Sequence, residues 1–483
     1  MGGLRLIATF GWLLQIEAAA ALLTGLIAAA NDDPQSARVF IAAAALMVFV
    51  ATGLILGFRG HGAPSRRRHG LALVLASWIL LPVFGAIPFM AIADTGPLVG
   101  YFEAVSVFTT TGATTLASLD RLPRALVLWR AELEWLGGLL TVVMAAAAFA
   151  GRSDGSQGGI HLLSSALANV SRLKAIARDM LPLYGLFTLG CVVALSLAGL
   201  PAFDAVCLAL STISTGGAMP RDGDLAQYAL PLVAPILGVF MILGATSFVV
   251  LRGLGEAGRW RRFELAAFAP RLGVFAVVVA IMSIAFAARA DEGGAGAAAQ
   301  AVWEGLFATI SLATTTAFVH DSSAVGGVPL AIVVSIIIVG GAHCSTSGGI
   351  KIGRVARMVE VTNHELDVLV HPSVVAGAER GSPSAEPQRM LWSYLIVYLM
   401  TVVAVATILA GSGLGFEAAL LAAAGSISNA GPVIDYLGQP GATQVVYASL
   451  TQPATGLVAL AMILGRIEIL AVLAVLTPLF WTR

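Results

Sequence analysis

The sequence predicts an all-α, polytopic membrane protein. We expect four tandem units around one central axis, each with two spanning helices and a short helix between them, and two extra N-terminal helices. Three observations predict this fold: an apolar composition, ten long apolar stretches and a polar stretch that recurs four times. Of the 483 residues, 58% are hydrophobic and 11% are charged, and the mean hydropathy is +0.90. Soluble globular domains are far more polar.

The apolar stretches set the number of predicted spans. A spanning helix needs about 20 apolar residues. The stretches that meet this length are 9–30, 39–58, 70–95, 127–150, 180–199, 227–251, 272–289, 326–350, 390–410 and 453–480. The first is too long for a removable signal peptide and has no small-residue cleavage site, so we interpret it as a retained helix. An even number of spans leaves both termini on one side.

The basic residues indicate which side that is. Lys plus Arg and Asp plus Glu both number 27, so net charge says nothing about partners. Basic residues cluster in alternate connections: Arg59, Arg66, Arg67 and Arg68; Arg152, Arg172, Lys174 and Arg178; Arg252, Arg259, Arg261, Arg262 and Arg271; and Lys351, Arg354, Arg357, Arg380 and Arg389. The positive-inside rule makes these connections and both termini cytoplasmic. Cys191, Cys207 and Cys344 show no metal-ligand spacing and predict no disulfide framework.

A polar stretch recurs as "FTTTGATTL", "LSTISTGGA", "SLATTTAF" and "GSISNAGP". Alignment makes Gly112, Gly216, Ala317 and Gly431 equivalent, at separations of 104, 101 and 114 residues. An aromatic residue and an acid precede each stretch: Phe102-Glu103, Phe203-Asp204, Trp303-Glu304 and Phe416-Glu417. Acids stabilise helix N-termini. We therefore expect a short helix, too short to span the bilayer, before each stretch.

Non-helical backbone at membrane depth is tolerated where protein buries it or where it lines a water-filled cavity. Four such stretches around one axis could present rings of carbonyl oxygens that replace the hydration shell of a small cation. The alternative is that these are ordinary helix-packing motifs, since Gly, Ser and Thr are common within membrane bundles. Recurrence at a nearly constant period, each time behind a short helix, favours an ion filter.

Several motifs resemble one known family. "FTTTGAT", "STISTGGA", "VGGAHCSTSGGIKIGRV" and "MILGRIEILAVLAVLTPLFW" are similar to signatures of the Trk/Ktr/HKT superfamily of potassium uptake proteins. The length and the two additional N-terminal helices favour the bacterial TrkH type over the shorter KtrB type. The resemblance implies four M1–P–M2 pore-loop units around one central pore and potassium uptake across the bacterial inner (cytoplasmic) membrane. It implies K⁺ as the transported ion, with no enzymatic activity, no bound organic cofactor in this chain and no nucleic-acid partner.

The resemblance also implies an assembly and a division of the chain. The protein would be a homodimer in the lipid bilayer, and its cytoplasmic partner a TrkA-type ring of RCK domains that bind ATP, ADP or NAD(H). The expected divisions are 1–69 for the extra helices, 70–179, 180–271, 272–389 and 390–483 for the four pore units, with a gate loop at 340–350. By motif position, the implied filter is Thr110, Thr111, Gly112, Ser214, Thr215, Gly216, Thr315, Thr316, Ala317, Asn429, Ala430 and Gly431.

A gate is expected below the filter, where the resemblance implies an intramembrane loop that interrupts the third unit's second helix. The implied gate residues are Gly340, Gly341, His343, Ser345, Thr346, Ser347, Gly348, Gly349, Lys351 and Arg466. Glycine and serine weaken a helix, which independently predicts a break there; the alternative is a kinked helix end. Arg466 either projects into the pore or forms a structural ion pair. Lys351 either takes part in gating or snorkels to the membrane surface. His343 either confers pH sensitivity or is a neutral, hydrogen-bonded loop residue.

Two departures from the family pattern bear on selectivity: Ala317 stands where the family has glycine, and Ala218 where it usually has an aromatic residue. An alanine at positive φ is strained. One alternative is therefore a less selective K⁺/Na⁺ conductor or a secondary transporter coupled to H⁺ or Na⁺. Others are a regulatory homologue that does not conduct and, from another class, an intramembrane hydrolase using His343, Cys344 or Ser347. Adjacent positions do not establish a nucleophile and a base.

Overall fold

The computed structural model describes residues 4–58, 67–149, 170–253, 277–278, 280–284, 294–325, 328–370, 385–438 and 441–467. Within these ranges all regular structure is helical, as the sequence predicts. The α-helices are α1 (Leu4–Ala30), α2 (Pro34–Gly57), α3 (Arg67–Ile92), α4 (Pro97–Phe108), α5 (Arg124–Phe149), α6 (Val170–Leu197), α7 (Ala202–Ser214), α8 (Val233–Ala245), α9 (Phe248–Gly253), α10 (Gly294–Ala313), α11 (Ser322–Val325), α12 (Leu330–Val339), α13 (Ile352–Val370), α14 (Ala385–Gly411), α15 (Phe416–Ser428), α16 (Ala442–Ala448) and α17 (Gln452–Ile467). Two 3₁₀ helices cover Leu225–Tyr228 and Gly431–Leu437.

Five helices in the described part of the chain are long and apolar enough to cross a membrane: Ile7–Ala30, Pro34–Gly57, Ala72–Ile92, Leu173–Leu197 and Leu391–Gly411. They correspond to five of the ten predicted spans. The stretch 127–150 also forms one long helix, α5, but Arg130 and Glu134 on it are buried inside the protein. Of 272–289 only 277–278 and 280–284 are described, and 453–480 is described up to Ile467.

Two predicted spans are not continuous helices. The stretch 227–251 is divided between a 3₁₀ turn, α8 and α9, with a break at Thr246 and Ser247. The stretch 326–350 ends as a helix at Val339. The predicted unit boundaries at 69/70, 179/180 and 389/390 fall inside α3, α6 and α14, so the units are better divided at helix starts. The boundary at 271/272 and the tract 371–384 lie outside the described residues, as do Arg59, Arg66, Arg152, Arg259, Arg261, Arg262, Arg271 and Arg380.

The two extra helices form a hairpin against the first unit. Asp33 caps α2 by accepting a hydrogen bond from the Ser36 N–H at 3.0 Å. The hairpin is tight because a Cβ at Gly11 would lie 2.9 Å from the Ala51 carbonyl oxygen. The opposite face of α2 exposes apolar side chains, with Phe49 76% exposed, as suits a surface in contact with lipid.

Short helices precede three of the four polar stretches as predicted: α4 has 12 residues, and α7 and α15 have 13 each. The third, α10, is longer than predicted, at 20 residues. The same close contact joins three of the short helices to the second helix of their own unit. A Cβ at Gly137 would lie 1.7 Å from the Phe108 carbonyl oxygen, one at Gly244 2.8 Å from that of Ile213, and one at Gly465 2.0 Å from that of Ile427. Glycine permits this close approach of helix to helix end.

Candidate functional site

The backbone just after each short helix follows the same hydrogen-bond pattern in all four units. The N–H groups of Thr111, Gly216, Thr316 and Ala430 donate to the carbonyl oxygens of Ser106, Ser211, Ser311 and Gly425 at 2.8, 2.9, 3.1 and 2.7 Å. This pattern makes Gly112, Gly217, Ala317 and Gly431 equivalent. The sequence alignment, which equated Gly216 with Gly112, is therefore wrong by one residue, because "TGG" offers two glycines and the hydrogen bonds select the second.

The backbone angles support the corrected register. Thr110, Thr215, Thr315 and Asn429 all adopt left-handed conformations, with φ of 54°, 52°, 60° and 54°. Two residues later, Gly112, Gly217 and Ala317 do so again, with φ of 75°, 80° and 58°. Left-handed backbone costs a non-glycine residue about 1 kcal/mol or more, so these turns are held by their surroundings. Unit 4 departs from the pattern, because Gly431 instead begins a 3₁₀ helix.

The four stretches contact one another in a ring. A Cβ at Gly112 would lie 2.1 Å from the Gly216 carbonyl oxygen, and a Cβ at Gly217 would lie 2.1 Å from that of Thr316. The Gly431 N–H donates to the Thr111 carbonyl oxygen at 2.6 Å. These contacts run from unit 1 to unit 2, from unit 2 to unit 3 and from unit 4 back to unit 1. The polar stretches therefore meet at one axis, as the repeat predicts.

The segment Gly340–Lys351 is a loop directly beneath this ring. Helix α12 ends at Val339, and Gly340 follows with φ of 66°. The predicted break is therefore present, rather than a kink in a continuous helix. Thr346 Oγ1 donates to the Gly244 carbonyl oxygen at 2.9 Å and accepts from Thr215 Oγ1 at 3.2 Å. The loop thus contacts one threonine of the ring.

A second part of the loop contacts two other units. The Gly348 N–H donates to Thr315 Oγ1 at 2.7 Å. A Cβ at Gly348 would lie 1.7 Å from the Ser428 carbonyl oxygen, at the end of α15. The C-terminal carbonyls of a helix carry partial negative charge. The loop therefore lies against the ends of the short helices of units 2, 3 and 4.

Arg466 joins the loop from α17. Its Nη2 donates to the Thr346 carbonyl oxygen at 2.7 Å, and its Nε donates to Thr141 Oγ1 at 2.9 Å. Its Nη1 lies 3.5 Å from the Ser347 carbonyl oxygen. In the described residues no carboxylate pairs with it, which favours the interaction with the loop over a structural ion pair. Glu468 lies outside the described residues.

Two other predicted gate residues are packed within the loop region. Lys351 Nζ donates to the Ser347 carbonyl oxygen, so its ammonium group is directed to the loop. The His343 ring packs against α13, since a Cβ at Gly353 would lie 2.5 Å from its Cδ2 atom. Ser345 Oγ and Ser347 Oγ lie 2.7 Å apart. Cys344 is buried and not in a disulfide.

The acids of the short helices have a role that sequence reasoning missed. Asp204 and Glu417 lie in the first turns of α7 and α15, where the helix dipole favours them as predicted. Glu103 and Glu304 lie well inside α4 and α10, so the dipole argument is wrong for them. Glu103, Asp204 and Glu304 instead pair with polar residues of the chain that follows the ring.

A cavity lies against the ring between units 2, 3 and 4. Its lining includes Gly217 and Ala317 of the ring, together with Asp224 and Asp435. Asp222, next to the lining residue Gly223, joins three units, since it accepts from the Leu119 N–H at 2.7 Å and from Gln444 Nε2 at 2.8 Å. The cavity beside the ring is therefore lined in part by acidic residues.

Four short helices that end at one axis, a ring of non-helical backbone and a loop beneath it define a pore-loop membrane protein. The chain belongs to the TrkH family, described as cation transport protein, whose sequence pattern matches residues 36–265 and 272–478. This confirms the resemblance seen in the sequence. It also confirms the non-enzymatic prediction over the intramembrane hydrolase, because the family is one of transport proteins.

Individual relatives agree with this assignment. The chain is 28% identical to the Trk system potassium uptake protein TrkH of Salmonella typhimurium, over 98% of both chains. It is 31% identical to the Trk system potassium uptake protein TrkI of Halomonas elongata, over 85% of this chain and 83% of that one. The crystal structure of the potassium transporter TrkH from Vibrio parahaemolyticus superimposes with a TM-score of 0.84 over the full length of both chains, at 25% identity. The predicted polytopic, all-α membrane fold is therefore confirmed.

Proposed function

We propose that this chain conducts potassium into a bacterial cell across the inner membrane, through a pore whose selectivity filter is the ring described above. The observation that carries the proposal is the set of close backbone contacts that joins the four polar stretches, from unit 1 to unit 2, from unit 2 to unit 3 and from unit 4 to unit 1. Named relatives of the chain are potassium uptake proteins. Potassium uptake is also the function that the geometry of the ring supports best.

The chemistry of the filter follows from its backbone. Rings of carbonyl oxygens replace the water lost by a dehydrated K⁺ ion. The proposed filter residues are those of the four equivalent positions: Thr110, Thr111 and Gly112; Thr215, Gly216 and Gly217; Thr315, Thr316 and Ala317; and Asn429, Ala430 and Gly431. Ser214, the last residue of α7, is replaced in this set by Gly217. The negative ends of the short helices favour a cation below the ring.

The loop Gly340–Lys351 is the proposed gate. It contacts Thr215 and Thr315 beneath the filter, and Arg466 is bonded to its carbonyl oxygens. An ion leaving the filter would meet this loop and a guanidinium charge. Conduction then requires the loop to move and Arg466 to change its hydrogen-bond partners. A membrane potential of about 100 mV supplies about 2.3 kcal/mol per K⁺ ion, enough to drive accumulation through an open pore.

A less selective K⁺/Na⁺ conductor is the second candidate, and Ala317 is the observation that favours it. Its methyl group occupies the place where Gly112 and Gly217 leave room for a neighbouring carbonyl oxygen. Next to it, the backbone of unit 4 differs from the other three, and the Ala430 carbonyl oxygen accepts from the Val433 N–H at 3.2 Å. A carbonyl engaged in this way is less available to an ion. One quarter of the filter therefore differs from the rest. Coupling to H⁺ or Na⁺ belongs to this same candidate.

The assembly follows the family expectation. We propose a homodimer controlled by a cytoplasmic TrkA-type RCK ring that binds ATP, ADP or NAD(H), with both termini in the cytoplasm. A member of a Trk system works with other components, as the relatives' names imply. The basic connections, which would face such a ring, support this orientation. On the same side as these connections, Arg252 on α9 pairs with Asp179 on α6 at 2.7 Å.

Uptake of Rb⁺ and of Na⁺ into proteoliposomes with an inside-negative potential tests the proposal. The variants are the wild type, Ala317→Gly and, as a matched control in the same unit, Ala308→Gly, a buried alanine of α10. We expect Rb⁺ uptake that K⁺ competes, with the ratio of Rb⁺ to Na⁺ raised by Ala317→Gly and not by Ala308→Gly. Equal uptake of both ions by the wild type would favour the second candidate. No flux through any form, with the regulatory ring present, would overturn both.

A further inference from the structure

Three of the four units fix the chain that leaves the filter by bonding it to an acid of their short helix. In unit 1, Glu103 accepts from the Thr115 N–H at 2.6 Å and from Arg130 Nη1 at 3.1 Å. In unit 2, Arg221 Nε donates to Asp204 at 2.8 Å. The corresponding partner in unit 3 is a histidine. We call these three contacts the clamps, and the residues after each filter segment its outer arm.

The unit 3 clamp joins His320 Nδ1 to Glu304 Oε1 at 2.7 Å. Glu304 is 3% exposed and His320 28% exposed, so the pair is accessible from one side only. The imidazole ring also lies against two aromatic rings of α10, 6.1 Å from Trp303 and 5.8 Å from Phe307 between ring centres. These contacts fix the side chain of His320 against α10.

His320 lies three residues beyond Ala317, on the outer side of the filter. The carbonyl oxygen of Phe318 accepts from Ser311 Oγ at 2.7 Å and from the Tyr436 hydroxyl at 3.2 Å. The carbonyl oxygen of His320 accepts from the Ala226 N–H at 2.9 Å. The outer arm of unit 3 is therefore held by units 2 and 4 at its backbone, and by its own short helix through the His320 side chain.

On the basis of the function proposed above, we propose that His320 is a positioning residue for the unit 3 filter segment, and that protons on the outer side of the membrane set its state. Protonated His320 pairs with Glu304 and holds the outer arm. When His320 is neutral, it can only donate a hydrogen bond from an uncharged imidazole to the Glu304 carboxylate. That bond is weaker than the ion pair. The segment that depends on this clamp contains Ala317, which is already held at a strained φ of 58°.

The groups that face His320 all favour its protonation. They are Glu304 on α10, Asp321 beside it and Asp224 at the start of the unit 2 turn. The hydrogen bond to Glu304 is the largest cause that raises the pKa of His320 above its ordinary 6.5, while burial opposes the increase. Because the folded-state pKa is raised, the ion pair is complete below pH 6.5 and is lost as the pH rises through the raised value.

Reversal potentials in planar bilayers, with K⁺ on one side and Na⁺ on the other, test this inference, because the pH of each side can be changed separately. For the wild type we expect the K⁺-to-Na⁺ permeability ratio to fall roughly fivefold between mildly acidic and alkaline outer solution, because weakening the clamp removes about as much free energy as one ordinary hydrogen bond contributes. His320→Arg copies the unit 2 clamp and should keep the high ratio at every pH. His320→Gln should give the low ratio at every pH.

Controls separate the clamp from general effects. His364→Gln on α13 removes another histidine away from the filter and should keep the wild-type pH profile. A wild-type ratio that does not change with outer pH would overturn the role of His320 and leave the proposed function intact. The absence of any current from wild type and variants would overturn both.

A second measurement does not depend on conduction. Thermal unfolding of wild type and His320→Arg should coincide at acidic pH and separate at alkaline pH, where only the arginine keeps its charge. An unchanged difference at both pH values would show that His320 does not titrate in this range, and would overturn the inference even if His320→Gln fails to fold.

Discussion

Arg466 Nη2 donates a hydrogen bond to the Thr346 carbonyl oxygen at 2.7 Å, which joins α17 of unit 4 to the loop of unit 3 beneath the filter. The two residues are 120 positions apart in the sequence. The Thr346 side chain bonds on its other side to the carbonyl of Gly244 and the hydroxyl of Thr215. One residue of the loop therefore connects the arginine to the filter.

Replacing Arg466 by Gln should raise Rb⁺ uptake in the absence of the regulatory ring, because it removes a positive charge from the ion's path and weakens the attachment of the loop. Arg466→Lys separates the two effects, since lysine keeps the charge but lacks the planar fork that reaches both Thr346 and Thr141. If Arg466→Lys takes up Rb⁺ at the wild-type rate, the positive charge is the barrier. If it takes up Rb⁺ at the rate of Arg466→Gln, the barrier is the attachment of the loop by the hydrogen bonds of Arg466. A wild-type rate in both variants would contradict the gating role of Arg466.

Thr346→Val should also raise basal Rb⁺ uptake. Valine has a similar shape but cannot bond to Gly244 or Thr215, so the closed position of the loop loses about 1 kcal/mol per hydrogen bond. Ser345→Ala is the matched control, because the Ser345 hydroxyl bonds within the loop, to the Ala342 carbonyl oxygen at 2.6 Å. Combining Thr346→Val with Arg466→Gln should add less than the sum of the single effects, because both act on one attachment. Full additivity would indicate two independent barriers.

The sequence was sufficient to predict the repeat, three of the four short helices and the break after Val339, because each depends on local composition. It did not determine the register of unit 2, where Gly216 and Gly217 are equally compatible with a tight turn and a hydrogen bond to Ser211 decides between them. It also misassigned Glu103 and Glu304 to helix N-termini. Their partners, Thr115 and His320, are brought to them by the return of the chain, which no local pattern encodes.

Gly465→Ala should disrupt the fourth unit, since a Cβ at this position would lie 2.0 Å from the Ile427 carbonyl oxygen. The same substitution nine residues earlier provides the control. A Cβ at Gly456 would lie 4.0 Å from the Leu98 side chain, an ordinary contact. In detergent, we expect a lower midpoint of thermal unfolding for Gly465→Ala and an unchanged or higher one for Gly456→Ala, because alanine favours helix. Equal midpoints would mean that α17 and α15 are less closely packed than this contact requires.

Arg130→Met should be the most destabilising of these substitutions. Arg130 and Glu103 are buried, with side chains 2% and 0% exposed, and their atoms lie 3.1 Å apart. Removing the arginine leaves a buried carboxylate without its counter-charge, which typically costs about 3–5 kcal/mol. Arg221→Met is the matched control. The Asp204 side chain is itself only 2% exposed, but Arg221 is 47% exposed, so water can take the place of its guanidinium group beside the carboxylate. Thermal unfolding should therefore show a larger loss for Arg130→Met than for Arg221→Met. The double variant Arg130→Met with Glu103→Gln should recover much of the stability, because it removes the unpaired charge. If it unfolds as early as Arg130→Met alone, the packing of the arginine side chain, rather than its charge, stabilises the first unit.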